Sequence, residues 1–163
     1  MSVFPTKILL ATDGSEEARQ AAQAAAELSR DTGSELHVAY VLPPPRELRG
    51  HHVYSQEVMQ SVTERAEHDG RSFLEEQAEQ LRSWGGKVAQ THLGAGEPDK
   101  EIVKLSEELG AGTIVIGSRG LGALKRTLMG SVSESVVRHA HCPVFVVRTD
   151  RAAWSEVPHF QSS

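Results

Sequence analysis

The chain has 163 residues, 39% of them hydrophobic, which suits one compact domain with enough apolar surface to cover a small sheet; residues 1–150 read as that domain and 151–163 as a tail. Seventeen Lys and Arg against 22 Asp and Glu leave a formal charge of −5, with no basic run to track a phosphodiester backbone, so nucleic acid is not an expected partner. No apolar run is long enough for a membrane span, Met1 to Pro5 lacks the features of a secretion signal, and the single Cys142 can form no internal disulfide, so the expected compartment is the cytoplasm.

Lys7 to Thr12 is a short apolar run without alternation, as expected of a central strand buried on both faces. After Asp13-Gly14-Ser15, the segment Glu16 to Asp31 carries alanines at 18, 21, 22, 25 and 26 with Leu28, a helix whose small residues permit close approach to a sheet, and Gly33 closes it. Ser34 to Val41 reads as a second strand stopped by Pro43-Pro44-Pro45, and the loop Leu42 to Gln56 is expected to be mobile. From Glu57 to Trp84, Met59, Val62, Ala66, Phe73, Leu74 and Leu81 recur at helical spacing, with Gly70 expected to weaken or kink the middle. Lys87 to Leu93 is a more polar third strand. Glu97-Pro98-Asp99 then opens a helix with Ile102, Leu105 and Leu109 as its buried stripe and Gly110 at its end. Thr113 to Ile116 is the fourth strand, Ser131 to His139 the last helix and Pro143 to Val147 the fifth strand.

Strands alternating with helices predict an α/β fold: an open, doubly wound, parallel five-stranded sheet with helices on both faces. With right-handed crossovers and strands one to three running outward from the centre one way, four and five the other, the order is 3-2-1-4-5. The crevice of such a sheet lies at the carboxyl ends of strands one and four, where Asp13 and Gly117 face each other.

Gly117-Ser118-Arg119-Gly120 leaves the fourth strand directly, and nine residues later Gly130-Ser131 opens the last helix. A glycine at the strand end is expected to turn with positive φ and to let main-chain N–H groups approach an anion. Ser131 is the expected cap of the last helix, with Glu134 as its capping-box partner, and a helix N-terminus attracts anions. Two such elements joined by one loop point to a nucleotide polyphosphate.

Ala11-Thr12-Asp13-Gly14-Ser15, the pattern Gly117-x-x-Gly120 with nine residues before Gly130-Ser131, and the closing His141-Cys142-Pro143 with Val144 to Val147 together resemble the universal stress protein family, in its ATP-binding branch, over about residues 5–148. The resemblance implies the 3-2-1-4-5 sheet, an adenine nucleotide in the crevice, ATP with Mg²⁺ as a companion ion, a homodimer, and a stress-response signalling role. By position it implies that Ala11 and Thr12 line the end of strand one and that Asp13 bonds the ribose hydroxyls or helps hold a metal. The alternative for Asp13 is a cap on the first helix with Glu16 as box partner. Val41 would offer its backbone to the adenine edge, or serve only as a core valine. Gly117, Gly120 and Gly130 would form the cradle, Ser131 and Ser133 would donate hydroxyls and Val132 its amide. On that assignment Gly117→Val is expected to abolish binding with secondary structure intact. Arg119, Lys125 and Arg126 could neutralise phosphate charge, although for Lys125 and Arg126 a solvated loop is the better reading.

Three competing activities are weaker. An ATPase or phosphotransferase using the same site would lack Gly-x-x-x-x-Gly-Lys-Ser/Thr and an obvious water-orienting residue, so any hydrolysis is expected to be slow. An ATP pyrophosphatase would need a Ser-Gly-Gly-x-Asp-Ser loop, and a dinucleotide-binding dehydrogenase Gly-x-Gly-x-x-Gly, after the first strand; neither is there. His139, His141 and Cys142 are metal-ligand types, but no second cluster at zinc spacing accompanies them, and no metal site is assigned. Val144 to Val147 has no charge within it, unlike the polar third strand, and is the expected edge through which two copies pair.

Overall fold

The computed structural model describes residues 3–44, 54–119 and 129–148. Most of the expected Leu42 to Gln56 loop and the tail lie outside the described residues. The elements follow the expected order: β1 (Lys7–Ala11), α1 (Glu16–Thr32), β2 (Glu35–Leu42), α2 (Gln56–Ser83), β3 (Lys87–Ala95), α3 (Pro98–Leu109), β4 (Thr113–Gly117), α4 (Ser131–His139) and β5 (Val144–Val147). They form one sheet of order β3-β2-β1-β4-β5 in which every pairing is parallel.

The unalternating hydrophobicity of β1 and β4 has the cause expected of it. Ile8 and Leu10 pack with α1 and α2 residues such as Ala22, Ala25 and Leu74 on one face, and Leu9 and Ala11 pack with Ile102 and Val136 of α3 and α4 on the other. The alanines at 18, 21, 22, 25 and 26 are buried and let α1 lie close to the sheet. Gly70 works the same way and does not break α2, which runs uninterrupted from Gln56 to Ser83. A Cβ there would lie 2.8 Å from Leu93 Cδ1, so the glycine marks close approach of helix to sheet. No helix among the described residues is long and apolar enough to cross a membrane.

Register places the crevice. The last residues paired between β1 and β4 are Ala11 and Ile116. Beyond them the strands part, since the Thr12 N–H donates to Ala39 O at 3.0 Å on β2 while the Ser118 N–H donates to Val147 O at 2.8 Å on β5. The central strands thus hand their next amides to opposite neighbours, and a cleft opens at their carboxyl ends, where ligands of doubly wound sheets sit.

Candidate functional site

One wall of the cleft is the turn after β1. Thr12 is buried, and its Oγ1 lies 3.4 Å from the Gly14 N–H. Asp13 is half-buried, and its Oδ1 accepts from the Ser15 N–H at 2.9 Å in an Asx turn. Gly14 has φ +79°, which a residue with a Cβ rarely adopts. Ser15 is the N-cap of α1, its Oγ accepting from the Ala18 N–H at 3.2 Å. Asp13 therefore does not cap α1, and the Asp13–Glu16 capping-box alternative falls.

Val41 lies further along β2. Its side chain packs on the α3 and α4 face. It pairs with Gly94 of β3, while β1 ends opposite Ala39, so no β1 residue pairs with Val41 on the cleft side. That edge of the backbone is available to a planar ligand with donor and acceptor atoms. Ala11 is buried beneath it in the same cluster.

The opposite wall is built from β4 and α4. Gly117 is buried, but its φ is not in the positive region, contrary to expectation. Its reason is steric: a Cβ would lie 2.8 Å from Glu17 C, 2.9 Å from Glu17 Cβ and 3.0 Å from Ala18 N, so only glycine lets the end of β4 touch the first turn of α1. Gly120, Lys125 and Arg126 lie outside the described residues. Gly130, with φ −75°, is the N-cap of α4, and no side chain caps the helix. Ser131 is consequently the first helical residue and not the cap, and the Ser131–Glu134 box does not form. The first intrahelical bond is Glu134 N–H to Gly130 O at 3.0 Å. The amides of Ser131, Val132 and Ser133 precede it and have no acceptor within the helix, which with the helix dipole makes an anion-seeking end.

Ser118 holds this wall together. Its carbonyl accepts from the Gly130 N–H at 2.6 Å and from Ser133 Oγ at 2.7 Å, and Ser133 Oγ lies 3.0 Å from Gly130 O. Ser133 is only 3% exposed, and its hydroxyl proton is committed to main-chain carbonyls and not to an anion in the cleft. The Ser131 side chain is exposed and can donate. Arg119 Nη2 lies 3.1 Å from Glu17 Oε1 on α1, both side chains largely buried.

Outside the cleft, a recess of about 300 Å³ between α2 and β2 is lined by Asp13, Tyr40, Phe73 and Asp69 among others, so Asp13 is shared between cleft and recess. His37 and His92 stack on the α3 side with His37 Nδ1 3.1 Å from His92 Nε2; burial first, then the charge of His37, holds the His92 imidazole below its ordinary value. Asp99 accepts from Ser135 Oγ at 2.6 Å, tying α3 to α4, and that bond holds its carboxyl below the usual range. His139 bonds Ser135 O through Nδ1, and His141 pairs with Glu107 at 3.1 Å. No group of three His, Cys, Asp or Glu residues converges as a metal site among the described residues.

Reading the sequence alone missed Ser118 and Glu17. Neither carries a local signal, because the carbonyl of Ser118 and the partner of Glu17 are supplied by the tertiary fold.

The sequence model of the universal stress protein family matches residues 5–148. A putative universal stress protein of Staphylococcus aureus is 37% identical over 145 residues, 88% of this chain and 84% of that one, and universal stress protein MJ0531 of Methanocaldococcus jannaschii is 32% identical over 142 residues, 87% and 81%. The solved structure of hypothetical protein MJ0577 superposes with a TM-score of 0.78 at 29% identity, covering 91% of this chain and 99% of that one. Two more distant structures share the fold: a universal stress protein in complex with cAMP (TM-score 0.65, 21% identity, 90% and 98% covered) and one from Archaeoglobus fulgidus in complex with dAMP (0.59, 24%, 90% and 99%).

Proposed function

Because the chain belongs to the universal stress protein family, we propose that it binds an adenine nucleotide, ATP in particular, between β1 and β4, and that it works in the cytoplasm as a nucleotide-dependent stress-response module and a homodimer. The observation that carries the reading is the uncapped start of α4, with the amides of Ser131, Val132 and Ser133 free of intrahelical acceptors at the mouth of a cleft whose other wall is Asp13. Relatives of the same fold in complex with cAMP and dAMP support the choice of an adenine ring.

In this arrangement the phosphates take the three α4 amides and the Ser131 hydroxyl, with Gly130 at the cap allowing the main chain to approach. The Asp13 carboxylate accepts from the ribose hydroxyls, and the backbone of Val41, beyond the end of β1, meets the adenine above Ala11 and Thr12. Since no cluster of three ligand side chains is present among the described residues, Mg²⁺ would be held mainly by the phosphates with Asp13 as its protein carboxylate, a donor set that suits this ion. Its chemistry there is charge neutralisation.

The homodimer forms through β5, an edge strand paired only with β4 among the described strands; its Phe145 is 52% exposed and no charge interrupts Val144 to Val147.

Isothermal titration of the purified protein with ATP, ADP, AMP, cAMP and adenosine tests the reading. Saturable heat with ATP, weakened by Asp13→Ala and by a bulky residue at Gly130, is expected. No heat with any adenine compound would overturn it.

A further inference from the structure

Three contacts fasten the start of the β4–α4 loop to the first turn of α1. Gly117 presses on the main chain of Glu17 and Ala18 with no room for a Cβ. Ser15, the cap of α1, donates through Oγ to the Arg119 carbonyl at 3.5 Å. Arg119 Nη2 reaches Glu17 Oε1 at 3.1 Å, with side chains 20% and 14% exposed. The same Ser15 gives its N–H to Asp13, so a single helical turn holds both the Asp13 turn and the beginning of the glycine loop.

We infer that Arg119 is a positioning residue, acting through Glu17 to lock the start of the β4–α4 loop to α1, and not a ligand of the phosphates. The inference rests on the nucleotide reading above for its binding readout. A guanidinium shielded from water beside a carboxylate has its charge compensated there, and swinging it to a phosphate would strip that pairing from a largely buried Glu17. The planar fork is rigid enough to fix a loop, which a lysine at this position would not do as well. Glu17 and Arg119 thereby add a charged contact to the hydrogen bond by which Ser15 already joins the two walls of the cleft.

The two roles predict opposite behaviour for Glu17→Gln. If Arg119 were a phosphate ligand, removing the Glu17 charge would release it and ATP affinity would hold or rise. Under the positioning role Glu17→Gln and Arg119→Gln each weaken ATP binding about tenfold, the double variant is no worse than either single one, and Arg119→Lys, which keeps the charge, still loses affinity. A second readout needs no nucleotide: amide exchange of the segment 113–119 quickens in both single variants and no further in the double one. Melting curves confirm that each variant is folded at the assay temperature, and Glu17→Asp replaces any that is not. Wild-type or tighter ATP binding by Glu17→Gln, or unchanged exchange in that variant, overturns the inference. If the wild-type protein binds no adenine nucleotide, the proposed function falls while the exchange cycle still decides whether Glu17 and Arg119 lock the loop.

Discussion

Gly117→Ala isolates the steric reason for the first glycine of the loop. The added methyl would meet Glu17 C at 2.8 Å, Glu17 Cβ at 2.9 Å and Ala18 N at 3.0 Å, two of them main-chain atoms in the first turn of a helix that cannot rotate away as a side-chain tip can. Overpacking of this kind costs about 1–3 kcal/mol. Against it stands the entropy removed from the unfolded chain, about 0.4–1 kcal/mol in favour of alanine, because the backbone here is not in the left-handed region. The net is a loss of roughly 1–2 kcal/mol, which lowers Tm by about 2–8 °C in a domain of this size. Thermal denaturation followed by circular dichroism measures it. A Tm equal to or above that of the wild type would refute the close-packing argument. Gly117→Val should be worse, so the loss of binding expected from sequence arrives together with a loss of stability and not with an intact fold.

Three further outcomes follow from particular contacts. Because His92 titrates below its ordinary 6.5 in the folded protein, the unfolded chain gains that proton first; stability is complete above pH 6.5 and falls as pH drops toward the lower folded value, and His92→Gln flattens that part of a stability–pH profile. If the proposed homodimer pairs through β5, the wild type sediments as a dimer at micromolar concentration and Val146→Lys, which places a charge in that apolar edge, sediments as a monomer; a wild-type monomer or a dimeric variant refutes that interface. Ser133→Ala removes the hydroxyl that bonds Ser118 O and Gly130 O, costing about 1–2 kcal/mol in chemical denaturation and displacing the start of α4, so ATP affinity falls with stability.

The sheet order was legible because each of its determinants is local. The unalternating runs at Lys7 and Thr113, the alanine ladder of α1 and the glycines at 33 and 110 announce strand or helix within a few residues, and a right-handed crossover rule converts that order into a topology. Boundaries slipped by one or two residues, most at β3, which continues through Gly94 and Ala95 because Val41 and Leu42 remain beside it. Gly70 misled for the opposite reason: its helix penalty is local, but the close contact with Leu93 that offsets it comes from a different element.

The site itself was legible in its glycines and misread in their purpose. From sequence, Gly117 stands for positive φ and Ser131 for a cap; in the fold Gly117 makes room for α1, and Gly130 takes the cap position with an ordinary φ and no side chain. The second substitution bears on function. A serine at the cap position would turn its own oxygen onto the N2 or N3 amide and compete with any anion for it, whereas a glycine there leaves the amides of Ser131, Val132 and Ser133 to an incoming ligand. With glycine as the cap the helix start forgoes only about a few tenths of a kcal/mol relative to a capping side chain, and Ser118 adds hydrogen bonds of its own to Gly130 and Ser133. Such an arrangement leaves the first amides of α4 without acceptors inside the helix, and those are the donors on which the proposed phosphate site depends.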